Sequence, residues 1–263
     1  MLSIVTYNTG HGNFNSDYIK GNKPNNKTVK SNIEGQIKLL KEIDADIILT
    51  QENGKLIIDQ HQINQFKMYR KGLDKYQAKY YSNNNIINLV DFGNATFTKQ
   101  SAKYQTFNTP YKIKGLIKNI RRINKGVLIT ELSIDNKKLV IFNIHTVAYK
   151  ENYKIREKQF AYIFERAIAE FLKGNYVIVG GDFNHEFHKD KSILDTYEML
   201  GWNKAIPKEG TIRSNKEKYT KKTPTFTIDG FIVSKNIEVI KVESLNNFKY
   251  SDHSPVLMHF KLK

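Results

Sequence analysis

Near the C-terminus the chain reads Tyr250-Ser251-Asp252-His253-Ser254-Pro255, which sets a carboxylate and an imidazole directly ahead of an apolar run, Val256 to Leu262. The arrangement recurs along the sequence. A first apolar segment ends at Asn8, Ile47-Ile48-Leu49-Thr50-Gln51 ends at Glu52, and Val140-Ile141-Phe142-Asn143-Ile144 ends at His145. Tyr176-Val177-Ile178-Val179 runs through two glycines to Asp182-Phe183-Asn184, and Thr227-Ile228 meets Asp229. Such side chains can bind a hard cation, activate water or hold a phosphate. Each also has an ordinary explanation. Gly180-Gly181-Asp182 makes a good turn, and Asp229-Gly230 between β-like flanks is a hairpin signal. Their joint occurrence is harder to dismiss, because strand ends on one side of a sandwich converge and can line a single polar cleft.

The elements that must position these groups are mostly strands. β-branched apolar runs predict them at Leu2–Tyr7, Asp46–Gln51, Gly93–Thr98, Gly126–Ser133, Lys138–Ile144, Tyr176–Val179, Thr227–Val233 and Val256–Leu262. Helical spacing places Ile33, Ile37 and Leu40 on one face, and predicts a long helix over Tyr153–Leu172 with Phe160, Ile163, Phe164, Ala167, Ile168 and Phe171 as its stripe. A shorter helix is expected over Ser192–Leu200, and loops at Asn22–Lys27 and Asn83–Asn85. Many strands with few helices suggest sheet packed on sheet with helices outside. No repeat or linker divides the 263 residues, so one domain over 1–263 is expected.

Composition narrows the class less than the motifs do. With no cysteine, neither a disulfide framework nor a thiolate metal site can form. No run approaches the ~20 apolar residues of a membrane helix, and Met1–Asn8 reads as a strand rather than a signal peptide. A cytoplasmic monomer is therefore the expectation. The net charge of +16 suits an anionic partner such as nucleic acid, although a chain so rich in Lys, Asn and Ile also fits AT-rich coding. His185-Glu186-Phe187-His188 has its histidines three apart, where the metalloprotease helix needs four. Gly10-His11-Gly12 lacks the third glycine of a dinucleotide fingerprint.

Taken in order, Thr6-Tyr7-Asn8, Leu49-Thr50-Gln51-Glu52, Gly93-Asn94-Ala95, Asn143-Ile144-His145, Gly181-Asp182-Phe183-Asn184, Ile228-Asp229 and Ser251-Asp252-His253-Ser254-Pro255-Val256 resemble the endonuclease/exonuclease/phosphatase superfamily. That superfamily includes DNase I, abasic endonucleases, bacterial sphingomyelinases and inositol polyphosphate 5-phosphatases. Arg156-x-x-Gln159 fits the same pattern. The resemblance implies an α/β (α+β) four-layer sandwich, two mixed β-sheets flanked by helices, with Mg²⁺-dependent hydrolysis of phosphoesters and Mn²⁺ as a substitute.

It further implies that Glu52 is the principal metal ligand, joined by Asn8 and Asp252. Asp182 would act as base toward water, Asn184 would donate to a phosphate oxygen, and Asp229 would orient His253 beside the phosphate. His145 would be a second cationic donor or the general acid. Basic loops over Lys112–Lys125 and Lys216–Lys222 would flank the cleft, making Arg121, Arg122, Arg156, Lys221 and Lys222 the candidates for gripping substrate. The abasic endonucleases usually carry an acid where Gly10 stands, a Tyr where His145 stands and an Asn where Ala148 stands, so abasic-site cleavage is disfavoured. The reading is a nuclease acting on DNA or RNA. Its alternatives are a phosphatase or phosphodiesterase for a lipid or small phosphorylated metabolite, and a non-catalytic scaffold.

Overall fold

Strict alternation along the central strands decides the layering. In the computed structural model, which describes residues 1–22, 24–57, 63–86, 90–109, 122–123 and 125–263, fifteen strands form two large sheets and a small ribbon. The first sheet runs in the order β14 (Ile237–Ser244), β15 (Val256–Leu262), β1 (Leu2–Asn8), β2 (Ile47–Ile57), β4 (Val90–Thr98), β3 (Gln77–Ile86), β6 (Arg122–Ile123). The second runs β10 (Asn203–Ala205), β13 (Asp229–Val233), β9 (Tyr176–Asp182), β8 (Lys137–His145), β7 (Gly126–Ile134), β5 (Ala102–Asn108). β11 (Ile212–Arg213) and β12 (Thr225–Phe226) make the ribbon. Both sheets are mixed. β1 and β2 pair in parallel across helix α1 (Asn26–Ile43), and β8 and β9 in parallel across helix α3 (Tyr153–Leu172).

A strand's period of two sends Ile4 of β1, Ile47 and Leu49 of β2 and Leu139 and Ile141 of β8 into the inter-sheet core, with Ile178, Phe231 and Met258. The intervening residues face outward. Val5, Tyr7 and Ile48 meet Val29, Ile33 and Leu40 of α1 and Tyr69 of α2 (Gln65–Gly72), while Val140, Phe142 and Ile144 meet Phe160, Ile163 and Phe164 of α3. Leu194 and Tyr197 of α4 (Leu194–Met199) join that second outer layer. The two-sheet architecture with outer helices is the one the sequence implies.

Local chemistry explains the departures. Asn83–Asn85, expected as a loop, belongs to β3; Asn83 is buried there, donating to Asn94 Oδ1 (2.9 Å) and accepting from Gly126 N (3.0 Å). Asp229-Gly230 is no hairpin turn, since both residues pair with β9. β3, β5 and β14 carry too many polar residues to announce themselves, and α2 is short, marked only by the Asn64 cap on Lys67 N (2.8 Å).

Beside the polar strand ends, β8 and β9 approach more closely than a side chain allows. Gly181 has φ +141°, and a Cβ there would lie 2.1 Å from the Ile144 carbonyl oxygen. Gly181→Ala should therefore cost roughly 2 kcal/mol or more in urea unfolding, as backbone strain and overlap combine. Gly174→Ala, at φ +85° with nothing within 4 Å, should cost clearly less. Equal losses at the two positions would contradict the close approach.

Candidate active site

Strand register brings the polar residues to one level. His145 pairs with Asp182 across β8 and β9, and Asp182 pairs with Asp229 across β9 and β13. Three neighbouring strands of the second sheet thus end in a row. Facing them, β1 ends at Asn8 beside Gln51, Glu52 follows, and Asp252-His253 precedes β15. Asn8 closes the gap by donating Nδ2 to Asp182 Oδ2 (2.9 Å). Directly beneath, Gln51 Nε2 donates to Asn143 Oδ1 (2.9 Å) and Thr6 Oγ1 (3.0 Å), while Asn143 Nδ2 donates to the Ala95 carbonyl (3.0 Å). This polar clasp joins β1, β2, β4 and β8 where the apolar inter-sheet core gives way to the cleft.

Glu52 owes its direction to backbone geometry. The β2–β4 register shifts between Thr50 and Asn53, and Glu52 has φ +52°, a conformation costly for a residue with a Cβ. Its carboxylate lies 3.2 Å from His11 Nε2 and 3.8 Å from His145 Nε2. Asp182 is held on both oxygens: Oδ1 accepts from Asn184 N (2.8 Å) as Oδ2 does from Asn8, and His145 Nε2 and His253 Nε2 stand 3.6 and 4.0 Å from Oδ2. Asn184, at φ +48°, donates Nδ2 to the Thr146 carbonyl (3.1 Å). His253 Nδ1 is bonded to Asp229 Oδ2 at 2.8 Å, and Asp252 Oδ2 accepts from Asn215 Nδ2 (2.7 Å).

The electrostatics separate the two imidazoles. Burial alone would pull the His253 pKa down, but Asp229, then Asp252 and Asp182, outweigh it and raise it to about 10. His253 is an imidazolium. Burial and then the Lys125 ammonium hold His145 well below its ordinary value, so the expected second cation is a neutral ring. Burial and the Asp229 carboxylate push Asp182 up to about 7. Burial alone would raise the Glu52 carboxyl, but the ring N–H groups of His11 and His145 and the charges of His253 and Lys125 favour the carboxylate and bring it down to about 2, so Glu52 is ionised.

Four carboxylates, Glu52, Asp182, Asp229 and Asp252, therefore share a cleft that holds one imidazolium and the half-buried Lys125. Asp229 Oδ1 is buried with no hydrogen-bond partner among the described residues. This excess of hard oxygen donors fits a divalent cation. Ligand atoms of Asp182, Asp229 and His253 lie within 4.8 Å of one another. The 2.8 Å contact in that group is better read as an Nδ1–H donating to Asp229 than as two ligands of one ion. Glu52, the side-chain oxygen of Asn8 and Asp252 are the further oxygens of the cleft that could hold such a cation.

The basic candidates fare differently. Arg156 is buried and donates to the carbonyls of Val147 and Tyr149 (both 3.1 Å), so it braces the loop after His145 and does not face substrate. Gln159 completes that brace through Val147 N (2.9 Å). Lys221 and Lys222 are exposed in the turn before β12. Arg121 and most of the Lys112–Lys125 run lie outside the described residues, and for Arg122 only the strand β6 is described. The site also contains residues the motifs do not announce: His11, Lys125, Asn215 and Arg213. Arg213 is fully buried and donates to the carbonyls of Asn15, Tyr18, Ser214 and Glu217, tying together the loops on either side of Asp252.

The model of the endonuclease/exonuclease/phosphatase family matches residues 5–253. The chain belongs to this family. Among solved structures it is similar to a family protein from Leptotrichia buccalis C-1013-b (15% identity, 100% of both chains, TM-score 0.70). It is also similar to the family member from Bacteroides vulgatus (17%, 100% of this chain and 99% of that one, 0.70). A third likeness is to D. rerio TDP2 complexed with a single-strand DNA product (16%, 99% and 98%, 0.70). No curated protein matches in sequence. At such identities the likeness establishes the fold that the family shares.

The His253–Asp229 pair can be tested by itself. NMR titration of the imidazole in metal-free protein should place His253 near 10, and Asp229→Asn should lower it markedly, because only Asp252 and Asp182 then oppose burial. The sign for stability follows: a raised imidazole pKa stabilises fully below about 6.5, and that stabilisation is lost as pH rises toward about 10. A wild-type His253 titrating near 6.5 would contradict the pairing.

Proposed function

We propose that the protein is a Mg²⁺-dependent phosphodiester hydrolase acting on nucleic acid. The observation that carries this reading is Asp182, a buried carboxylate pinned by Asn8 and Asn184 with two imidazole nitrogens within 4.0 Å. A carboxylate raised to about 7 is suited to take a proton from water near neutral pH. Asn8 and the Asn184 N–H fix its lone pairs, so that a water bonded to Asp182 is aimed rather than free to turn. His253, held as an imidazolium by Asp229, supplies positive charge where a phosphate gains negative charge during attack. His145, neutral, stands with Nε2 between Glu52 and Asp182 at 3.8 and 3.6 Å, open to a water or phosphate oxygen in the cleft. Glu52, with Asn8 and Asp252, would hold the cation, which when bound offsets charge on the phosphate and lowers the pKa of a bound water.

Nucleic acid is favoured as substrate by the +16 charge and by exposed lysines such as Lys221 and Lys222 in the turn before β12. The similar D. rerio protein, solved with a single-strand DNA product, supports the same reading. Two sheets drawing strands from Leu2 through Leu262 support one domain over the whole chain.

Nicking of supercoiled plasmid should require Mg²⁺ and stop in EDTA. Asp182→Asn should slow it by about 10²- to 10⁴-fold, the usual worth of a positioned base. Glu52→Gln should shift the Mg²⁺ requirement upward in a folded protein. A well-folded wild type that leaves the plasmid intact, yet hydrolyses a small or lipid phosphoester, would transfer the reaction to that substrate class.

A further inference from the structure

The Glu52 carboxylate is gripped by a residue that the scheme above does not use. His11 sits in a 3₁₀ turn, Gly10–Gly12, immediately after β1, at φ +54° between glycines at +52° and +75°. The turn is built to be there. Gln36 Nε2 donates to the Thr9 carbonyl and Asn32 Nδ2 to the Gly12 carbonyl, each at 2.8 Å, so α1 fixes both of its ends. A Cβ on Gly10 would meet Phe14 at 2.6 Å, and one on Gly12 would meet Ile33 at 2.8 Å. The His11 ring packs edge-on against Phe92 (4.6 Å, 65°) and brings Nε2 to 3.2 Å from Glu52 Oε2.

Geometry fixes the role. The ring reaches Glu52 through Nε2, and facing a carboxylate oxygen at 3.2 Å that nitrogen carries a proton. Nδ1 is buried with no hydrogen-bond partner among the described residues. A buried nitrogen is left unsatisfied and the backbone strained, and what results is a close contact with Oε2. Oε1 remains, on the side of His145 at 3.8 Å.

We propose that His11 is a positioning residue that occupies Glu52 Oε2 and presents Oε1 alone to the cation, so that the site takes a small octahedral ion in preference to Ca²⁺. This rests on Glu52 being the metal carboxylate. Ca²⁺ readily takes both oxygens of a carboxylate and six to eight ligands, whereas Mg²⁺ and Mn²⁺ are suited by single oxygens. Hydrogen-bond partners of a ligand typically change metal affinity by about 10- to 100-fold.

The test is Mn²⁺ binding to the metal-free full chain, followed by electron paramagnetic resonance, with Mg²⁺ and Ca²⁺ as competitors. His11→Asn tolerates the positive φ but is too short to reach Oε2, while His11→Gln restores an N–H donor at that reach. Melting in EDTA verifies that each variant is folded. His11→Asn should bind Mn²⁺ at least about 10-fold more weakly and narrow the Mn²⁺-over-Ca²⁺ preference, and His11→Gln should recover both. Wild-type affinity and preference in His11→Asn would overturn the proposal while leaving Glu52 as the ligand. So would an equal, ion-independent loss in both variants. A wild type that binds no Mn²⁺ would overturn the Glu52 reading and this one together.

Discussion

Burial of negative charge is the constraint on which the rest of this structure depends. Asp182, Asp229 and Asp252 are almost fully removed from solvent, and Glu52 is close to them. Carboxylates in such surroundings either take up a proton or require positive partners. The Asp229–His253 contact neutralises one of them, and the Asn8 and Asn215 amides and the Asn184 backbone N–H each satisfy a lone pair. What remains is an oxygen-rich cleft short of positive charge. A site of this kind lowers the stability of the empty protein and is suited to a cation, and the strained backbones at His11, Glu52 and Asn184 belong to the same local cost.

That cleft is rigid because the polar network beneath it spans both sheets. Gln51 and Asn143 come from different sheets and bond to each other at 2.9 Å, on the same faces that carry Leu49 and Ile141 deeper in the sandwich. The sheets are thus registered by hydrogen bonds at the cleft and by apolar packing below it. Two buried arginines do comparable work in the loops. Arg156 holds the segment after His145, and Arg213 holds those beside Asp252, each by donating to several backbone carbonyl oxygens.

The sequence is most legible where alternation is uninterrupted. Val256–Leu262 and the helix Tyr153–Leu172 appear with the expected bounds, and β8 differs from its reading by one residue at each end. The motif-bearing strand ends were legible for the same reason, since a polar residue after four or five apolar ones marks where the core stops. β3 and β14 were not legible, because their neighbours satisfy polar side chains or leave them in water. Arg156 shows the limit for sites: an arginine beside a motif reads as a phosphate grip, and only packing reveals it as a brace. His11 and Asn215 act across sequence separations of 41 and 37 residues (from Glu52 and Asp252), so no local pattern marks them.

The most direct test of the account is thermal melting at pH 8, in EDTA and in saturating Mg²⁺, for the wild type and Asp252→Asn. An asparagine there retains an oxygen for Asn215 and removes one buried charge. If the cleft is held short of positive charge for a cation, Mg²⁺ raises the wild-type melting temperature, and Asp252→Asn melts higher than the wild type in EDTA but gains less from Mg²⁺. A wild type indifferent to Mg²⁺, with an Asp252→Asn protein no more stable in EDTA, would contradict it.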